Sequence, residues 1–281
     1  MLVLALKISI AVLLFATGMS VTVNDVLWLW RRPVLLGKSV LAMYVVAPVV
    51  AVVMARTLDL PTPTEVALVV LAICAGAPLL PRKLIKLGGD APYVFSLVVT
   101  TSLLAIVTVP ASLHLLQAYL SFDPTVTPGA VALAILKTFL LPLGLGMLVR
   151  AVAPAFADKA DDIVLKVASL VMAVCALVLL VAAWRHFLTL GWPSFLAFAV
   201  FTLAAILAGH LLGGPDPEDR TTLAVTCATR HVGLALLVAA NAEGSKTLSL
   251  VAGYLFASAV VSVPYIRWRT RVHAPAEGDS K

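Results

Sequence analysis

Apolar runs of roughly twenty residues follow one another along the chain, separated by short clusters of Pro, Gly, Asp and Arg. A helix needs about 20 apolar residues to cross the hydrocarbon of a bilayer. Runs of that length between turn residues therefore predict transmembrane helices and not sheet strands. Nine segments are expected, at about 3–22, 34–56, 64–86, 92–120, 128–152, 160–184, 187–213, 219–241 and 245–267. Most of the links are short, as in an antiparallel bundle. The pattern predicts an all-α integral membrane protein forming a single transmembrane unit over 1–281.

Two runs break the pattern. The third contains Cys74-Ala-Gly-Ala-Pro-Leu-Leu-Pro81, and the eighth contains Thr226-Cys-Ala-Thr-Arg-His-Val-Gly233. Each is followed by one last apolar segment of its half. Interruptions at corresponding positions predict inverted repeats with two broken, crossing helices and a binding site where they meet. The first repeat is expected over about 3–120, the second over about 128–267, with a short cytoplasmic tail at 268–281.

Composition agrees with this reading, since 62% of the residues are apolar and 12% are charged. A soluble domain holds about a quarter charged residues. Of the 20 Lys and Arg residues, Lys137 and Arg230 fall inside spans, and Lys7, Arg56, Arg185 and Lys246 lie on one side of the membrane. The other fourteen lie on the opposite side. Basic residues gather in the cytoplasm, so the expected topology is an outside N-terminus and a cytoplasmic C-terminus in the cell (inner) membrane. The net charge of +6 then reflects topology and does not indicate a nucleic-acid partner. Cys74, Cys175 and Cys227 all sit in apolar runs, which argues against a disulfide framework. The first run carries Lys7 and lacks a small-residue cleavage site, so it reads as a retained span.

All 14 acidic residues fall in loops, span ends or the tail. A mid-membrane cation site commonly uses a carboxylate, and its absence argues against one here. Arg230 follows Arg220 by ten residues, which places it about 15 Å along a helix, near mid-depth. It either caps the carbonyls of the interrupted segment as a structural cation or binds an anionic substrate through its fork; the two roles are compatible. His231 beside it is a hydrogen-bond donor or a packing group. Thr226, Cys227, Thr229, Ala77 and Pro78 line the two interruptions. Lys137, about ten residues into the fifth span, either adds positive potential or snorkels outward.

The ordered motifs Phe15-Ala-Thr-Gly-Met, Arg32-Pro-Val-Leu-Leu-Gly, Cys74 to Pro81 with Gly88-Gly-Asp, and Thr222-Leu…Gly233-Leu-Ala resemble the bile acid:sodium symporter family over roughly residues 8 to 265. The resemblance implies a nine-helix form with a panel domain and a core domain, the two broken helices crossing in the core. It also implies sodium ligands around the crossing, and here the chain departs from the family. A Ser-Asn pair is replaced in Leu79-Leu-Pro-Arg-Lys83, and Met43, Thr226 and Arg230 stand where Gln, Glu and Gln would be. Ser96 and Thr100 resemble the family's hydroxyl pair on the following helix.

The expected function is a secondary transporter of small organic anions working by alternating access, with sodium coupling put in doubt by the replaced ligands. The alternatives are a sodium-coupled anion symporter with a rearranged site, and a cation:proton antiporter of similar fold. No metallohydrolase, nucleophile-elbow or nucleotide-loop motif is present, so neither an enzyme nor a bound cofactor is expected. The partners expected are the bilayer, a small organic anion, and protons or sodium as candidate coupling ions.

Overall fold

Among the described residues, ten helical segments follow in chain order. They are α1 (Leu2–Gly18), the short α2 (Val23–Leu27), α3 (Pro33–Thr57), α4 (Thr62–Ile73), α5 (Ala91–Leu116), α6 (Pro128–Val152), α7 (Pro154–Leu188), α8 (Trp192–Leu212), α9 (Pro217–Ala228) and α10 (Gly244–His273). The computed structural model describes residues 2–76, 89–116, 127–188, 191–231, 234–235, 238 and 244–273. Among these, extended pairing is confined to a single antiparallel bridge between Ala75 and Arg230. The all-α fold follows.

Proline sets several of the helix starts. It occupies one of the first two positions of α3, α4, α6, α8 and α9, where its missing N–H has no intrahelical partner to lose. Inside α3 and α6, proline has another effect. The turns Leu41–Val46 and Leu136–Leu140 widen to π geometry just ahead of Pro48 and Pro142. Each proline lacks a donor and crowds the carbonyl four residues back, and a wider turn relieves both.

Among the described residues, five helices are long and apolar enough to cross a bilayer: Pro33–Thr57, Ala91–Leu116, Pro128–Val152, Trp192–Leu212 and Ser249–Val272. The nine-segment expectation is larger by four: the third and eighth segments begin as helices of 12 residues each that stop at Ile73 and Ala228, and the first and sixth, in α1 and α7, are not among the five. On α3, Leu41, Val45, Val49 and Val53 are exposed at every fourth residue, an outward apolar stripe suited to lipid.

Inside, α1 packs on α6 and α7, while α8 packs on α9, α10 and α3. The α8–α9 contact is a backbone contact. A Cβ built on Gly209 would fall 2.5 Å from Ala224 Cα, closer than any real side chain allows. That approach fixes where α9 ends, and the candidate site lies at its end.

Candidate functional site

Helix α4 stops because Cys74 leaves the helical conformation at φ −82° and ψ 66°, its N–H still donating to Val70 O at 3.2 Å. Ala75 then pairs with Arg230 across the bridge. His231 N–H donates to Cys74 O at 3.0 Å. Gly76 turns the chain away at φ +98°, a conformation L side chains rarely adopt. A Cβ there would also meet Thr101 Oγ1 at 3.1 Å.

Helix α9 stops at Thr229, which is extended at φ −106° and ψ 134°. An ending helix leaves its last carbonyls without partners, and local groups satisfy several of them. Thr229 N–H donates to Thr226 O at 3.2 Å, and Thr229 Oγ1 donates to Val225 O at 2.9 Å. Ala228 O accepts the Tyr254 hydroxyl and, at 3.0 Å, the Ser258 hydroxyl. Counting 12 residues at about 1.5 Å each, the end lies about 18 Å from the start of α9.

Arg230 occupies this point and is 2% exposed, among the largest fully buried side chains described. Its Nη1 donates to Ala72 O at 3.3 Å, and its Cζ stands 5.3 Å from the Phe201 ring centre. Nε and Nη2 have no hydrogen-bond partner among the described residues. These two nitrogens form one edge of the guanidinium plane, the edge that meets a carboxylate side-on. A buried donor without an acceptor costs about 1–3 kcal/mol, more when charged, so an open, buried charged edge calls for a ligand or another explanation.

His231 adds a neighbouring donor. Its Nδ1 accepts the Leu234 N–H at 3.2 Å, which leaves the proton of the neutral ring on Nε2. Nε2 is likewise buried with no partner among the described residues. Thr226 and Cys227 are fully buried in the last turn of α9, and the Thr226 hydroxyl is committed to Thr222 O at 2.7 Å. Met43, in the π turn of α3, shares an apolar cluster with Ala75 and Cys227. Met43, the start of the first interruption at Cys74 and Ala75, and the second interruption at Cys227 and Arg230 therefore come together.

Other candidates are placed differently. Ala77 and Pro78 lie outside the described residues. Ser96 accepts the Leu29 N–H at 2.9 Å and donates to Val26 O at 2.6 Å, while Thr100 Oγ1 accepts the Trp30 Nε1–H at 3.0 Å. Both hydroxyls tie the α2–α3 link to α5. Lys137 is exposed on α6 and is not brought to Arg230: depth along a helix does not fix which face a residue occupies, and Lys137 took the outer one. Tyr254, Ser258 and Phe201 were not singled out from the sequence. The signal available was a polar pair four residues apart on an apolar helix, which brings both hydroxyls to one face.

A concavity of about 440 Å³ lies where α3, α5 and α9 begin and is lined by Trp28, Arg32, Asp90, Asp216, Glu218 and Asp219. The Arg32 guanidinium covers the Trp28 ring at 3.8 Å. Asp219, in the first turn of α9 and outside the membrane-spanning stretches, is 5% exposed. Burial, then the neighbouring charges of Asp216 and Asp90, push its carboxyl up to about 6.

The Sodium Bile acid symporter family matches residues 7–189. A chloroplastic protein of Oryza sativa subsp. japonica, named as a probable sodium/metabolite cotransporter, is 25% identical over 241 residues. The match covers 83% of this chain and 56% of that relative, so the chain spans little more than half of its length.

Proposed function

The chain belongs to the sodium bile acid symporter family, and from that premise we propose that it carries a small organic anion, a carboxylate or sulfonate, by alternating access. The observation that carries the reading is the open Nε and Nη2 edge of Arg230, buried at the meeting of α4 and α9 with no acceptor among the described residues. Two oxygens of an oxyanion complete that edge with two charge-assisted bonds. His231 Nε2 is a second buried donor without a partner among the described residues. Thr229 and the backbone beyond Cys74 form the polar part of the surroundings.

Arg230 also bears on coupling. The family description and the name of the plant relative both include sodium. We propose that in this chain the guanidinium supplies the positive charge that a bound cation would bring to the site. A fixed charge about 4 Å from a second cation repels it by roughly 4 kcal/mol at an effective dielectric of 20. Transport is then independent of sodium, either facilitative or driven by protons. The second reading, a sodium symporter with a displaced ion site, is favoured by the family name. It predicts saturable stimulation by sodium.

The reading extends to the architecture. Helices α4 and α9 have 12 residues each, start on proline-containing turns and end where Ala75 and Arg230 pair. This likeness supports two inverted repeats, over about 3–120 and 128–267, with the discontinuous helices crossing between them. The excess of basic residues on one side supports a cytoplasmic C-terminus in the cell membrane.

The test is binding to purified protein, read by thermal shift with small carboxylates and sulfonates. Arg230→Met should lose the shift that the wild-type protein shows with its best anion. A folded Arg230→Met protein that binds as the wild type does would remove the anion reading.

A further inference from the structure

We propose that Tyr254 and Ser258 are positioning residues for Arg230: by closing the Ala228 carbonyl, they keep the Nε/Nη2 edge of the guanidinium free for an oxyanion. The inference rests on the reading of Arg230 as the anion-binding group.

The argument starts from the end of α9. Its terminal carbonyls carry the negative end of the helix dipole and point into a buried interior. Thr229 closes the Thr226 and Val225 carbonyls. The Ala228 carbonyl stands two residues before Arg230 and receives no donor from its own helix. A carbonyl has two lone pairs, and here both are taken by hydroxyls of α10, Tyr254 and Ser258.

Without those hydroxyls, a buried acceptor would lie beside a buried guanidinium with two open donors. Each would satisfy the other, as Nη1 and Ala72 O already do on the opposite edge. Arg230 would then be bonded to its own backbone, and the incoming anion would have to displace that bond. The two hydroxyls prevent the collapse.

The placement of Tyr254 is itself fixed. The residue is fully buried, with Phe198 edge-on at 5.9 Å and Phe201 at 6.3 Å between ring centres. Phe201 is the ring over which Arg230 sits. Ser258 lies one helical turn further along the same face of α10. One aromatic and hydroxyl cluster on α8 and α10 thus holds the carbonyl and the guanidinium together.

The experiment uses the full chain in detergent, with butyrate, benzoate and ethanesulfonate as probes in thermal-shift titrations. Tyr254→Phe and Ser258→Ala should each raise the half-saturating probe concentration about 5-fold, as expected for one lost hydrogen bond. The double variant should raise it further. Ser258→Thr, which keeps the hydroxyl, should bind as the wild type does. In liposome uptake of the best probe, KM should rise while the maximal rate stays within about 2-fold, a split that general destabilisation does not produce. On an Arg230→Lys background, Tyr254→Phe should cost less than about 2-fold, because the two act through one group.

Wild-type affinity in Tyr254→Phe/Ser258→Ala, or an undiminished Tyr254→Phe effect on the Lys background, overturns the proposal. If the double variant does not fold, the contrast between Ser258→Ala and Ser258→Thr decides. Loss of binding in Arg230→Met with wild-type binding in the hydroxyl variants sinks this inference alone. Wild-type binding in Arg230→Met, or no response of the wild-type protein to any probe, sinks the anion reading and this inference together.

Discussion

Arg230 is a charge without a counter-charge: no carboxylate among the described residues pairs with it, and one edge of its fork is open. If that edge binds the anion, geometry matters as well as charge. Arg230→Lys keeps the charge but offers a point donor in place of a planar fork. Probe affinity should fall about 10-fold or more, as expected for loss of one charge-assisted bond, with folding retained; thermal-shift titration checks it. The burial of Arg230 could be read from the sequence, because it stands in an apolar run; its role stays a proposal. The place of Lys137 could not be read, since position along a helix says nothing about face, and the structure puts it outside. Nor could Tyr254 and Ser258, whose partner is a backbone carbonyl 26 and 30 residues away. No local pattern announces such a bond.

At the scale of elements, composition showed where α4 and α9 should fail to continue, and they stop at Ile73 and Ala228. The π turns ahead of Pro48 and Pro142 were not foreseen, because a proline alone does not say whether a helix will kink, end or widen. Two predictions belong here. Gly209→Val places a side chain into the Ala224 backbone and should push α8 and α9 apart. Overpacking of this kind costs about 1–3 kcal/mol, and the melting temperature should drop by several degrees while Gly209→Ala drops it less. The second concerns Asp219, also unforeseen, because a residue at a span end reads as wetted. Its folded carboxyl titrates near 6 against an ordinary value of 3.8. Between those values the native state holds a proton that the unfolded chain has released, so stability falls as pH rises through that window and stays lower above it. Asp219→Asn should flatten the dependence of melting temperature on pH between about 4 and 6. It should also raise the melting temperature at pH 7.5 by a few degrees. An unchanged pH profile in the variant would remove the buried carboxyl from the account.

For the whole molecule, the all-α membrane class followed from hydropathy alone, since apolar runs of this length have few soluble uses. The orientation rests on the distribution of Lys and Arg. Reporter fusions should place the N-terminus outside and the C-terminus in the cytoplasm; both ends on one side would break the nine-segment topology. The joining of α4 to α9 through Ala75 and Arg230 could be anticipated only as a matched pair of interruptions, because the bridge spans 155 residues of chain. The central claim is that a fixed guanidinium stands in for a bound cation in an organic-anion carrier. The most direct measurement is uptake of the best-binding anion into proteoliposomes, in sodium and in potassium buffers of matched ionic strength without a pH gradient. We predict equal rates in the two buffers and loss of uptake in Arg230→Met. A strict sodium requirement that saturates with sodium concentration would contradict the account.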